Sequence, residues 1–291
     1  MNIELKTENL TIINNSICII EEALKRYCFS IEKKEFTKLP LTFVDLIGRY
    51  RVNLKSVNSQ VQSFKENDES LSFLPIGLIM RCCLEDTIQA KYLLLFIDDP
   101  EIMEREIDVT SLHSIKSNLQ SYIKEAPEYW KCPEDKKKEL ENELESAYRE
   151  YKENNSIYFN KKGNLKKSYE LRKESANWKK FFKKERVKKD RHDNSASFWH
   201  IMIKDKDKDF ASIYMHYRYF CMFEHYTFAS RNAFVWNPVG FNIFAVSIEF
   251  VYRIIHHILI FLEAEKIYIE EVEKGLIELH KILQQNPKSS I

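Results

Sequence analysis

Apolar positions recur every three or four residues over most of this chain, and that period predicts helices. Over residues 10–34 the stripe runs through Ile12, Ile13, Ile17, Ile20, Leu24 and Tyr27. Pro40 interrupts it, and residues 41–64 read as a second helix. After a polar ENDES, the strongly apolar segment 74–97 reads as a third, stopped at Asp98-Asp99-Pro100 because proline lacks an N–H and crowds the preceding turn. The pattern then thins. Residues 103–125 and 134–153 carry narrow apolar stripes among many charges, with Pro133 well placed to open the second. Residues 166–189 read as a basic helix and 191–197 as a loop. Dense apolar spacing returns over 209–235 as one helix. It continues past Asn237-Pro238-Val239-Gly240 as a long final helix over 241–285, with a frayed tail from Gln284.

These elements predict an all-α fold. The two apolar ends, residues 8–98 and 209–285, form a helical bundle, and 101–205 forms a charged helical insertion. The insertion has too thin a stripe for an independent core, so residues 1–291 are expected as a single domain. Composition agrees: 5 glycines leave few sites for positive-φ hairpin turns, while 15 Tyr, 19 Phe and 4 Trp supply a bulky core. So few glycines also leave no glycine-rich nucleotide loop, which argues against an ATPase, dehydrogenase or kinase. The stretch 241–262 approaches the length of a membrane span, yet it holds Asn242, Glu249, Arg253, His256 and His257. Such charges are costly in lipid, so a buried helix in a soluble core is expected, with no membrane partner. The six cysteines form no C-x-x-C pair and MNIELKTENL lacks the apolar core of a signal peptide. Reduced thiols and a cytoplasmic location follow as expectations.

Candidate chemistry centres on Arg218 and His225 in ASIYMHYRYFCMFEHYTFASR. Seven residues make almost two helical turns, so on a continuous helix both face one side, in a stripe with Tyr214, Cys221 and Phe228. A neutral histidine can take or return a proton at an RNA 2′-hydroxyl, and an arginine can hold the phosphate through its planar fork. No metal or other cofactor is needed for that reaction. The same residues also suit a structural role, the histidine bonded to a neighbour and the arginine bridging helices. Arg81 and Glu85 stand at i,i+4 on an apolar helix, either orienting the site or locking helices together. His216, His225, His256 and His257 lack the spacing of known metal motifs, so no metal site is expected. The formal charge is only +1, but residues 158–191 hold 14 Lys/Arg against 4 Asp/Glu. There Lys179, Lys180, Lys183 and Lys184 with Trp178 suit a phosphate backbone and a stacked base. Alternatively the lysines meet water while Trp178, Phe181 and Phe182 pack inward.

LIMRCCLEDTIQAKYLL and YRYFCMFEHYTFAS resemble the uncharacterised bacterial family DUF5677, which is related by fold to the HEPN proteins. The matching positions are Arg81, Glu85, Tyr217 and His225, with Thr227 or Ser230; His225-Tyr226-Thr227 stands where the family has histidine-proline-serine. The likeness covers residues 70–98 and 209–260 well, the N-terminal helices loosely and the middle hardly at all. It implies a HEPN-like bundle, often a homodimer with a composite site, and a metal-independent ribonuclease of a bacterial defence or stress system. In that picture His225 is the general acid/base, Arg218 the phosphate clamp, and Arg81, Glu85 and Tyr217 support them. Protein partners from toxin–antitoxin systems are also implied, and some relatives act as non-catalytic binding modules.

Overall fold

The stripe read over residues 10–34 lies on α1 (Ile3–Ile31), where Ile13, Ile17, Ile20, Leu24 and Tyr27 are buried. The computed structural model describes residues 3–67, 73–119, 133–182, 195–204, 207, 210–223 and 238–285. α2 (Lys38–Asn67) carries Pro40 in its first turn, where the missing N–H forfeits no intrahelical bond. α3 (Phe73–Leu94) follows, then α4 (Pro100–Leu119), α5 (Glu134–Asn154), α6 (Ser168–Lys173) and α7 (Trp178–Phe181). The last four are α8 (Ser195–Ile203), α9 (Phe210–Cys221), α10 (Pro238–Phe261) and α11 (Lys266–Gln285). The fold is all-α, and the described residues contain no strand beyond a single bridge between Phe159 and Leu165.

Three expected helices are broken. The final one, read over 241–285, is two helices: α10 closes at Phe261 and the chain turns through residues 262–265. Glu263 takes a left-handed φ of 50°, and the Ala264 N–H reaches back to the Leu259 carbonyl at 2.9 Å, which caps the helix. The basic helix read over 166–189 is only α6 and α7 within the described residues, separated by a turn. The helix read over 209–235 ends at Cys221, with Met222 and Phe223 in a turn and residues 224–237 outside the described residues. The loop read over 191–197 is overtaken by α8, which already begins at Ser195.

The chain divides into two compact units, Met1–Leu95 with Ala196–Ile291, and Phe96–Ser195. In the first, α1 packs between α2 and α11, and α10 packs on α11, α3 and α2. Buried Phe43, Ile47 and Leu54 of α2, Met80 and Leu84 of α3, and Phe244, Ile248 and Val251 of α10 fill the interior. α1 and α11 approach closely at Gly275, where a Cβ would stand 2.5 Å from Ile20 Cδ1. Ser16 donates to the Ile13 carbonyl at 2.8 Å, so its oxygen is left to accept from the buried Tyr252 hydroxyl at 3.2 Å. α10 is long and apolar enough to cross a bilayer; here it is packed against four other helices.

The second unit has its own small core of Val109, Leu112, Ile115, Tyr158, Phe159 and Leu171. It draws on the aromatic residues of a tight turn rather than on a long stripe. Asn160 Oδ1 accepts the N–H groups of Lys162 and Asn164 at 3.0 and 3.1 Å, and Gly163 supplies the φ of +78° that closes the turn. Arg172 of α6 is 1% exposed and donates to both oxygens of Glu106 on α4, itself 2% exposed, at 2.7 and 2.9 Å. This pair ties α6 to α4.

Candidate functional site

α9 has two unlike faces. Phe210, Ile213, Tyr217 and Phe220 are buried, at the spacing of one helical side. Ala211, Met215 and Arg218 lie on the exposed side, with Met215 66% exposed, and Met222 in the turn beyond is exposed too. The helix rests on α3 and α10, and Lys91 of α3 pairs with Asp207 just ahead of it. Its aromatic neighbours stack: the His200 ring of α8 lies 4.2 Å from Tyr214 at an interplanar angle of 13°, and Ser197 meets the Tyr214 hydroxyl at 2.9 Å.

Of the residues singled out from the sequence, Arg81, Glu85 and Tyr217 come together between α3 and α9. Burial pushes the Tyr217 phenol well up, the Glu85 carboxylate and the contact with Cys221 push it further, and the Arg81 guanidinium pulls it back. Tyr217 is therefore a neutral hydrogen-bonding group at any ordinary pH. Arg218, one residue on, faces solvent. Among the described residues no carboxylate pairs with it. His225 lies outside the described residues, so the shared helical face expected of Arg218 and His225 is carried by α9 only as far as Cys221. Trp178 is half-buried on α7 with Lys179 and Lys180 exposed beside it, while Lys183 and Lys184 lie outside the described residues.

The carboxylate most removed from water on α3 is Asp86, not the neighbouring Glu85. Asp86 is 2% exposed, accepts from Arg49 of α2 at 2.8 Å through one oxygen, and keeps the other sealed without a hydrogen-bond partner. Burial raises its pKa to about 6; Arg49 lowers it and Glu85 raises it. Tyr50 and Cys83, both buried, and Cys82 complete its titratable surroundings. The sequence hides this choice because Glu85 and Asp86 are adjacent; only the register between α2 and α3 decides which one turns inward. A second, partly buried polar contact joins α9 to α10. Ser247 donates to the Ile243 carbonyl at 2.6 Å, so its oxygen accepts from His216 Nδ1 at 2.9 Å. Burial lowers His216 to about 4, which keeps the ring neutral. The serine proton is committed to the backbone, so this is a helix tie rather than a nucleophile and its base.

The described residues contain no group of three or more His, Cys, Asp or Glu side chains placed to hold a metal ion. What the α3–α9 seam offers chemically is an exposed guanidinium beside a neutral phenol, with two further arginines and a carboxylate that titrates near pH 6 on the adjoining helices. No family model matches the chain, and neither a curated protein nor a solved structure matches it.

Proposed function

We propose that the protein is a HEPN-like, metal-independent RNA endonuclease of a bacterial defence or stress system. Arg218 clamps the scissile phosphate and His225 moves the proton of the 2′-hydroxyl. The observation that carries this reading is the division of labour on α9. Tyr217 turns inward to Arg81 and Glu85, while Arg218, next in sequence, presents its guanidinium to solvent. A clamp has to be reachable by a polymer and held on a rigid element, and Arg218 meets both conditions. A homodimer that brings two copies of α9 together would supply two such arginines to one composite site in the cytoplasm, where a partner protein of a toxin–antitoxin pair would act as its control.

The test is cleavage of RNA in EDTA by the wild type, Arg218→Ala and His225→Ala at matched folding. The expected products carry 2′,3′-cyclic phosphate ends, and each variant loses about 100-fold or more in rate, the usual yield of a positioned acid–base group. Equal rates in all three proteins would remove the assigned roles. A second reading, a non-catalytic helical interaction or nucleic-acid-binding module, is favoured by the end of α9 at Cys221. Past that point one helix no longer dictates how His225 lies relative to Arg218.

A further inference from the structure

We infer that the surface made by the 160–163 turn, α6 and α7 docks single-stranded nucleic acid, with Lys161, Lys162, Lys167, Lys173, Lys179 and Lys180 on phosphates and Trp178 under a base. Residues 160–182 carry eight cations and only two carboxylates, and both carboxylates are already used within the unit. Glu174 is held by Lys166 at 2.6 Å and by Arg105 at 3.4 Å. Glu170 accepts the backbone N–H of Lys167 at 2.6 Å. Arg172 is sealed against Glu106. Among the described residues, the six remaining lysines have no carboxylate within ion-pair distance, and all six are exposed.

Several hydrogen bonds and ring contacts hold the scaffold under these charges, which limits the entropy lost on binding. The turn is pinned by Asn160, by the Phe159–Leu165 bridge, and by the Lys166 N–H on the Tyr158 carbonyl at 2.8 Å. Lys173 is steadied over the Tyr169 ring, 5.1 Å from its centre. The inward-packing role that the sequence left open falls to Phe181 and Phe182, which meet Phe96 at 5.3 and 6.0 Å. Trp178 is half-buried, as Phe181 is, but stacks on no other ring among the described residues. Between residues 158 and 182 no large apolar side chain is fully exposed, and Ile157 at the edge with the half-buried Trp178 offers a bilayer only a small apolar footing beside six lysines. Repeated point charges with an aromatic ring beside them fit a flexible strand of phosphates and bases.

This inference is independent of catalysis at Arg218 and His225, because it concerns binding alone. The experiment titrates the full chain against labelled RNA and DNA single strands of about 20 nucleotides, following anisotropy from about 50 to about 300 mM salt. The DNA strand, lacking the 2′-hydroxyl, keeps any cleavage from being mistaken for weak binding. Lys161→Gln/Lys162→Gln/Lys167→Gln/Lys173→Gln is expected to weaken binding at least ~10-fold and to flatten the log–log salt slope by about 3, near 0.7 for each phosphate that is no longer neutralised. Trp178→Ala is expected to weaken binding several-fold and leave the slope unchanged, because stacking releases no counterion. Lys33→Gln/Lys34→Gln/Lys38→Gln/Lys55→Gln, at exposed positions between α1 and α2 and on α2, serves as the charge-matched control and binds as wild type. The inference is overturned if neither strand binds, if the quadruple variant keeps its affinity and slope, or if the control loses as much. Capture by phosphatidylserine vesicles without binding to either strand would overturn it in favour of a membrane surface.

Discussion

Replacing Glu106 by glutamine should unfold the 96–195 unit more readily than any change on its surface. The carboxylate takes two guanidinium hydrogen bonds from Arg172, and both side chains are almost wholly out of water. At about 4 Å between charge centres and an effective dielectric near 20, their attraction is on the order of 4 kcal/mol. The amide keeps the shape but leaves the guanidinium without its counter-charge in a site water does not reach. Breaking a buried pair in this way costs about 3–5 kcal/mol, a large share of the stability of a small unit. Arg172 also stands 5.1 Å over the Phe182 ring, so a shifted guanidinium disturbs that contact too. Hydrogen exchange in graded urea would read the loss at the amides of α4, α6 and the 160–163 turn. Glu106→Leu/Arg172→Met, which removes both charges at similar volume, should recover most of it. A loss below about 1 kcal/mol for Glu106→Gln would refute the reasoning, since it would mean the buried pair is not the tie between α4 and α6. A double variant no better than the single one would do the same.

Buried Asp86 and half-buried His216 should pull the acid side of the stability curve in opposite directions. Asp86 has a folded pKa of about 6 against an ordinary 3.8, so the folded protein gains a proton before the unfolded chain does. Its contribution therefore improves as pH falls through 6, and Asp86→Asn should abolish that gain in urea midpoints measured across pH. His216 is depressed from 6.5 to about 4, so the unfolded chain is protonated first and stability is lost as pH falls between those values. His216→Leu should remove that loss, and an unchanged pH profile would refute the assignment. Gly48 has nothing within 4 Å of where a Cβ would stand, so Gly48→Ala should stabilise α2 by about 1 kcal/mol in thermal unfolding. Gly275→Ala should instead destabilise by about 1–3 kcal/mol, because the methyl would meet the stem of Ile20. Glu263→Gly should stabilise by up to about 1 kcal/mol by relieving the left-handed backbone at the α10–α11 turn, and a lower melting temperature would contradict that.

Helix type and the buried stripes could be read from apolar spacing because each helix faces a neighbour with one side. Ile13, Ile17, Ile20 and Leu24 behave as their period requires. Breaks were harder to see. The turn after Phe261 has no glycine or proline to announce it, since Glu263 takes the position that glycine usually fills. The short α6 and α7 were hidden by continuous lysine and glutamate, which satisfy helix propensity without fixing a helix end. At the site, the i,i+4 spacing placed Arg81 and Glu85 together on α3 but left their partner across the bundle open; in the structure they face Tyr217 of α9. The Arg49–Asp86, His216–Ser247 and Glu106–Arg172 pairs were out of reach because each joins separate elements, and their partners are chosen by the register of packing.

The pairing of α1 with α11 has a consequence for synthesis. Arg26 and Glu271 meet across the two helices although 245 residues separate them in the chain. A ribosome therefore makes α1 and α2 long before α11, so the side of α1 that faces α11 stays uncovered while the intervening chain is made. The lysine-rich middle, with shorter loops to close, is free to assemble in that interval. Newly made protein should thus pass through a stage in which the central portion resists protease while both flanks are still cut, and an aggregation-prone greasy helix waits for its counterpart.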